Sequence, residues 1–323
     1  MDNISLFCKN FLEINKNLKQ GVLVSSGAAL IYTSKQKEAS KINLINIKNE
    51  FKTRISIFSA IRNSASSLLY ASMDADGKQD SVDKIIKNYQ ILRKNFSSSC
   101  YLPIVAYLLV DNSEEEVISF SSKMKELYKK ERKNHPFLTG NEDYGSLALM
   151  IKLSSDLDKT YDSYLSCYNI LKEKVKMPSN ERQTTAMILA LDDDSDEEKV
   201  NRFVEIFSAL KNNKISFGNN FFLPFLALSS LAKVNPESYV EEIKAISLKL
   251  KNQPELKGIF GCKLDKGTRN AYACLLSLNG QELTKCTLTS SIIHQIINYQ
   301  TMVCICTACC ATTACAASSS CDL

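Results

Sequence analysis

The residues of this chain best suited to metal or redox chemistry are cysteines near its carboxyl end. Six of the twelve Cys residues lie between positions 304 and 321. Closely spaced thiolates form soft sites for zinc or copper(I), because both ions accept sulfur ligands readily. If the tail binds a metal, four of these side chains are the candidate ligands: Cys304, Cys306, Cys309 and Cys310.

Other interpretations of this tail remain open. Its Cys spacing differs from the paired Cys-x2-4-Cys pattern of zinc sites, and the segment is rich in Ala, Thr and Ser. We favour a terminal helix that packs small side chains against the last hairpin. Besides the metal site, the alternatives are an attachment to a membrane and a substrate for thioether or thiazole formation. The remaining cysteines are dispersed, and we interpret them as small core residues: Cys8, Cys100, Cys167, Cys262, Cys274 and Cys286.

A second candidate for binding chemistry surrounds one of the two His residues. His135 follows a basic segment, and Asp143 and Tyr144 come eight and nine residues later, where we predict a connection between helices. An imidazole, a carboxylate and a phenol on such a connection could bind a ligand or partner at one rim. The alternative for His135 is a helix C-cap that complements the helix dipole.

Two acidic segments, at 74–80 and 192–198, could suggest calcium binding. The first lacks the terminal Glu of the twelve-residue calcium loop, and the second lacks Gly at the sixth position. Both precede predicted helices, whose amino ends favour acidic residues, so we assign them a structural role. We find no phosphate-binding Gly loop, nucleophile elbow, HExxH helix or dinucleotide fingerprint.

The overall charge and the apolar stretches constrain partner and location. A net charge of +5 over 323 residues is mild, so nucleic-acid binding is kept as an alternative only. The amino terminus lacks a secretory signal pattern, and we expect a cytoplasmic protein with reduced thiols. Residues 21–33 are too few to span a bilayer, and residues 290–320 are rich in small and polar side chains, so we expect no membrane span.

The positioning of all these residues depends on a repeat that runs through the sequence. Leu-Pro followed by an apolar run occurs at 102–110 and again at 223–231. Similar apolar runs occupy 68–71, 147–153, 186–191 and 271–278. Most of these runs are followed by a short polar connection and then by an amphipathic segment with apolar residues every three or four positions.

Capping signals support helices at these positions. Ser113 with Glu116 and Ser195 with Glu198 have the spacing of capping boxes, and Asn235 precedes Pro236 as an N-cap would. We therefore predict an all-α fold: an α-solenoid of helical hairpins of the HEAT and armadillo type, with a period of about 40 residues, in one elongated or curved domain. Residues 1–50 would form a helical cap, 51–300 the hairpin repeats, and 301–323 the Cys/Ala/Thr/Ser-rich tail.

The residues around His135 also carry a family resemblance. The segments Asn134-His-Pro-Phe-Leu-Thr139 and Glu142-Asp-Tyr144, with the apolar run that follows, resemble a family of uncharacterised proteins of about this length. That family is the domain of unknown function numbered four thousand and three, from low-GC Gram-positive bacteria. The resemblance implies a cytoplasmic, all-helical bacterial protein and carries no known activity.

From the sequence we predict a non-enzymatic scaffold that binds a protein or peptide. The first alternative is a soft-metal or thiol-redox protein that uses the Cys-rich tail with zinc or copper(I). The second is a helical-repeat protein that binds nucleic acid. The ligand and the oligomeric state are not specified by the sequence.

Overall fold

A computed structural model describes residues 2–63, 65–218, 222–259 and 261–278. Within these residues the chain forms fourteen α-helices and one β-hairpin, each strand of which has two residues. The prediction of an all-α fold is therefore confirmed. Each apolar run of the predicted repeat lies largely within a helix. The helices alternate along the chain between two kinds of position, which we call outer and inner.

Outer helices are amphipathic, and their apolar stripe faces the inner helices. In α7, for example, only Val117, Ser121, Met124, Leu127 and Glu131 are buried. The outer helices are α1 (Asn3–Leu18), α3 (Lys41–Arg54), α5 (Val82–Leu92), α7 (Glu114–Asn134), α9 (Leu157–Lys174), α11 (Asp196–Asn212) and α13 (Pro236–Asn252).

Inner helices are buried on nearly every side. Every residue of α4 and of α12 is buried, which fits their composition of Leu, Ala, Ser and aromatic residues. The inner helices are α2 (Val22–Ser34), α4 (Ser66–Ala75), α6 (Leu102–Leu108), α8 (Tyr144–Leu153), α10 (Ser179–Leu189), α12 (Phe225–Leu231) and α14 (Lys266–Ser277).

The predicted caps form as expected. Ser113 and Ser195 each accept from the backbone of the third helical residue, and the paired Glu bonds back to the cap. Asn235 caps α13, whose first residue is Pro236. These bonds satisfy backbone donors that a helix start leaves unpaired.

Each inner helix packs against the next inner helix, from α2 through α14, and α14 in turn packs against α2. The outer helix α1 likewise contacts both α3 and α13. The first and last described helices therefore meet, and the helices form a closed ring. The sequence predicted an elongated or curved array but not its closure, because a local repeat pattern does not encode the small rotations that bring the ends together.

The ring closes through contacts between α1, α2 and α14. Asn3 Nδ2 donates to the carbonyl oxygen of Leu276 at 3.1 Å, and the rings of Phe7 and Tyr272 lie 6.1 Å apart, edge to face. The hydroxyls of Tyr272 and Ser26 are 2.9 Å apart. Helix α1 thus serves as the outer partner of α14, and the seventh helical pair joins the two ends of the described chain.

The connections lie on two rims of the ring. The short-loop rim comprises residues 35–40, 76–81, 109–113, 154–156, 190–195 and 232–235, and ion pairs join neighbouring connections there. Lys35 binds Asp76 at 3.0 Å, Lys78 binds Asp111, and Lys233 binds Asp194 at 2.7 Å. Among the described residues, the long-loop rim comprises 19–21, 55–63, 65, 93–101, 135–143, 175–178, 213–218, 222–224, 253–259 and 261–265.

Two further features concern the ends of the repeat. Helix α3 runs through residues 50 and 51, so the expected boundary between cap and repeats falls inside a helix. On the long-loop rim, β1 (Lys257–Gly258) pairs antiparallel with β2 (Gly261–Cys262), with Lys257 opposite Cys262. No helix within the described residues is long and apolar enough to cross a membrane.

Candidate functional site

The predicted candidates near His135 lie on the long-loop rim, but they face different surroundings. His135 is the C-cap of α7, and its backbone amide donates to the carbonyl oxygen of Glu131 at 2.8 Å. Its ring lies 4.8 Å from that of Tyr168. Within the part of the chain that the structure describes, its buried Nε2 has no hydrogen-bond partner.

Asp143 and Tyr144 are buried, so neither side chain offers surface to a partner. Asp143 Oδ2 accepts from the Gly140 amide at 2.9 Å and ends a short 3-10 turn. Burial raises the pKa of the Asp143 carboxyl well above its usual range, and the nearby Glu142 and Glu131 charges add to this. The ring of Tyr144 packs edge-on against Phe96, at 5.0 Å, in a separate aromatic cluster.

Beneath this rim lies a buried carboxylate that the sequence analysis did not identify. Glu131 is fully buried and accepts from the hydroxyls of Tyr161, at 2.8 Å, and Tyr164, and from Gln183 Nε2 at 2.9 Å. Burial, followed by the Glu131 charge, raises the pKa of both phenols. The three donors occupy the carboxylate and tie α7 to α9 and α10, which is a structural role.

A second buried polar cluster has the residue types of a catalytic pair. Lys199 Nζ lies 2.7 Å from Ser163 Oγ, and a lysine this close could act as a base toward a serine. Here the ammonium is also held by Asp196 at 2.9 Å and by the carbonyl of Asp192 at 3.1 Å. Since all three of its protons are engaged by these partners, this lysine stabilises the start of α11.

The acidic segments have the structural role predicted for them. Asp192 and Asp194 bind Arg202, and Asp194 also binds Lys233 at 2.7 Å. The Lys233 ammonium, followed by Arg202, lowers the pKa of Asp194. In the other segment, Asp74 accepts from Tyr32, Asn43 and Gln79. Arginine, lysine and neutral donors therefore satisfy these carboxylates.

The prediction that the dispersed cysteines are core residues holds for three of them: Cys8, Cys167 and Cys274 are buried. Cys100 and Cys262 are half-buried at the edge of the core, and Cys286 lies outside the described residues. Burial raises the pKa of Cys8 and of Cys167 to about 12, so both thiols stay protonated at neutral pH. Among the described residues, no group of three or more His, Cys, Asp or Glu could hold a metal. The predicted metal ligands Cys304, Cys306, Cys309 and Cys310 lie outside the described residues.

An apolar cavity opens on the long-loop rim between α11 and α12. The end of α11 forms it: Lys214 adopts a left-handed backbone, with φ of 55°, and Ile215 N donates back to the carbonyl of Leu210 at 2.9 Å. The cavity has a volume of about 250 Å³. It is lined by Phe207, Leu210, Lys211, Lys214, Ile215, Ser216, Phe217, Leu223 and Leu226.

The two rims carry opposite charge. The last four residues of the outer helices, with the long-loop rim, include eighteen Lys and Arg and six Asp and Glu. Two of those six, Glu131 and Asp143, are buried. The corresponding set on the other side is the short-loop rim, together with the last four residues of each inner helix that enters it and the first four of each outer helix that leaves it. This set contains nine Lys and Arg and eighteen Asp and Glu. Acidic residues at helix starts and basic residues at helix ends complement the helix dipoles, and they also give the two rims opposite charge.

Comparison with known proteins places the chain in a family without assigning an activity. No curated protein and no solved structure matches it. A family model described as "Protein of unknown function (DUF4003)" matches residues 10–307, which covers both the helical ring and the segment around His135. This match confirms the resemblance drawn from the sequence, and the chain belongs to the DUF4003 family.

Proposed function

We propose that this protein is a non-enzymatic scaffold of helical-hairpin repeats that binds a peptide or protein segment in the cavity between α11 and α12. The architecture is that of a HEAT- or armadillo-like array whose two ends have joined. The observation that carries the proposal is an apolar cavity whose lining includes Lys211 and Lys214. We place the protein in the cytoplasm, where its buried Cys8, Cys167 and Cys274 thiols would stay reduced.

The size of the cavity favours a side-chain anchor over a cofactor. Pockets for small molecules and cofactors usually measure about 300–1,000 Å³. At about 250 Å³ the cavity falls below that range and suits one bulky apolar side chain. Buried apolar anchors of this kind contribute much of the affinity at peptide and protein interfaces.

The charge beside the cavity indicates the chemistry of the segment. Lys211 and Lys214 are both exposed, and no carboxylate among the described residues forms an ion pair with either of them. A partner with a large apolar residue next to Asp, Glu or a terminal carboxylate would fill the cavity and neutralise both lysines. The polar clusters at Glu131 and Lys199 support a binding role over catalysis, because their hydrogen-bonding groups are already engaged.

A peptide selection tests this proposal. The full chain would be screened against a displayed library of random peptides, and recovered peptides would be measured by fluorescence anisotropy. We expect peptides with an apolar residue beside an acid, whose affinity falls about tenfold or more with Ile215→Glu, which places a charge at the cavity. Lys123→Glu, on the exposed face of α7, is the matched control and should leave affinity within about twofold.

The proposal is wrong if no peptide is enriched, or if Ile215→Glu and Lys123→Glu have the same effect on the recovered peptides. Circular dichroism of each variant would show that the helices are intact. Because Ile215 is only half-buried, the substitution should not unfold the protein.

A further inference from the structure

The long-loop rim presents large apolar side chains to solvent at several points. Three such side chains in the described residues are more than nine-tenths exposed: Phe58 at 95%, Phe137 at 99% and Ile259 at 95%. Each lies on a different long loop, and Ile57, beside Phe58, is 67% exposed. Ile42, at 71% the most exposed on the other side of the ring, stands alone at the start of α3.

The three positions are spread around the ring. Their loops lead into α4, α8 and α14, which are the second, fourth and seventh of the seven inner helices. Because every long loop joins an outer helix to the following inner helix, all of them emerge on the same rim. Three protruding tips spaced around one rim define a plane, whereas a peptide groove requires adjacent apolar residues along one concave strip.

Local structure holds two of these tips outward. Ile259 lies between the paired residues Gly258 and Gly261, at the apex of the β-hairpin. Phe137 follows Pro136 in a turn whose amides, from Leu138 and Thr139, donate to the carbonyl of His135 at 3.1 Å. Solvent exposure of such side chains is unfavourable, so their concentration on one rim indicates a partner that takes them up.

The charge of the same rim identifies the kind of partner. The long-loop rim and the helix ends beside it are strongly basic, and the opposite rim is acidic. A flat, anionic partner with an apolar interior would accept the tips and attract the lysines and arginines together. Bilayers with anionic headgroups have these properties, and basic residues near such a surface strengthen binding additively. Duplex nucleic acid would match the charge but offers no apolar phase for three separate tips.

We propose that the long-loop rim is a peripheral membrane-binding face that docks onto anionic bilayers, with Phe58, Phe137 and Ile259 inserted among the headgroups. The lysines and arginines of the rim contact lipid phosphates and carboxylates. The acidic rim faces away from the membrane, and the ring axis is perpendicular to the bilayer surface. Lys211 and Lys214 of the peptide cavity belong to the same basic surface, but the inserted side chains Phe58, Phe137 and Ile259 lie outside that cavity, so the inference does not depend on peptide binding.

Vesicle flotation with the full chain tests the inference. We expect the protein to float with vesicles of phosphatidylcholine and phosphatidylserine, to stay behind with phosphatidylcholine alone, and to release as salt rises. The triple variant Phe58→Ser, Phe137→Ser, Ile259→Ser should lower vesicle affinity about tenfold or more. The double variant Ile42→Ser, Ile118→Ser, at exposed positions away from this rim, should leave it unchanged.

Charge reversal separates the two contributions. Lys94→Glu on the long-loop rim, combined with Lys133→Glu at the adjoining end of α7, should weaken binding to the anionic vesicles about tenfold or more. Lys41→Glu with Lys159→Glu, near the short-loop rim, should not. Absence of flotation with anionic vesicles at low salt would overturn the proposal. So would flotation that the triple variant leaves intact, or binding of duplex DNA in a gel shift without any binding to the vesicles.

Discussion

The closure of the ring makes a specific prediction about Phe7. This side chain is fully buried in α1, and its ring meets that of Tyr272 in α14 edge to face at 6.1 Å. Phe7→Ala removes a buried aromatic side chain, so we expect the free energy of unfolding to fall by about 3–5 kcal/mol. Leu12→Ala on the same helix is the control; Leu12 is 44% exposed, and a loss of about 1 kcal/mol or less is expected.

The contact across the closure can be isolated by a double-mutant cycle. Tyr272→Leu removes the aromatic ring, and its coupling with Phe7→Ala should be about 0.5–1.5 kcal/mol, as for other aromatic pairs. Tyr272→Phe keeps the ring and removes only the hydroxyl that bonds Ser26 at 2.9 Å. That variant should cost about 1 kcal/mol and show coupling with Phe7→Ala below about 0.5 kcal/mol.

Urea unfolding followed by far-ultraviolet circular dichroism provides the measurement, with the same slope required of all variants. If α1 were packed only against its sequence neighbours, Phe7→Ala would still be destabilising, but its coupling with Tyr272→Leu would vanish. A coupling energy indistinguishable from zero would therefore refute a ring closed by α1 and α14.

Three more predictions concern other parts of the chain. Burial holds the pKa of Asp143 well above its unfolded value, so the folded state binds this proton more tightly than the unfolded state. The free energy of unfolding should therefore fall as pH rises from about 4 through the raised pKa. Asp143→Asn should flatten that decline, as measured by urea titrations at several pH values. Ser113→Ala should cost about 1 kcal/mol, because it removes the cap of α7, whereas Ser122→Ala on its exposed face should not, as thermal melts would show. For the tail, elemental analysis of the reduced protein would measure bound zinc or copper. Truncation after Tyr299 should abolish any stoichiometric metal and leave the ring folded. Absence of metal from the full chain would end the metal hypothesis.

Helix positions could be predicted from the sequence because their causes are local. Capping boxes at Ser113 and Ser195, the Pro at the start of α13 and apolar residues every three or four positions all act within one helix. The same local rules predicted the structural role of the acidic segments. No Gly or Pro interrupts α3 at residue 50, so the helix continues through the position where the sequence placed the start of the repeats.

The candidate site was only partly predictable. The sequence pointed to the connection around His135, and the structure places it on the long-loop rim. That Asp143 and Tyr144 are buried depends on how α7 to α10 pack, and so does the burial of Glu131. The sequence around Glu131 is a basic helix end and does not indicate a buried carboxylate, because the partners of Glu131 (Tyr161, Tyr164 and Gln183) lie 30 to 52 residues away.

By itself, the sequence determined the helical class, the family and the alternation of apolar and amphipathic helices, because these follow from local propensity and short motifs. Only the tertiary structure decided that the ends of the array meet, that α1 completes the pair with α14, and that Phe58, Phe137 and Ile259 share one basic rim. Those outcomes depend on small rotations summed over seven helical pairs and on contacts such as Asn3 with Leu276, which are 273 residues apart. No local pattern contains that sum.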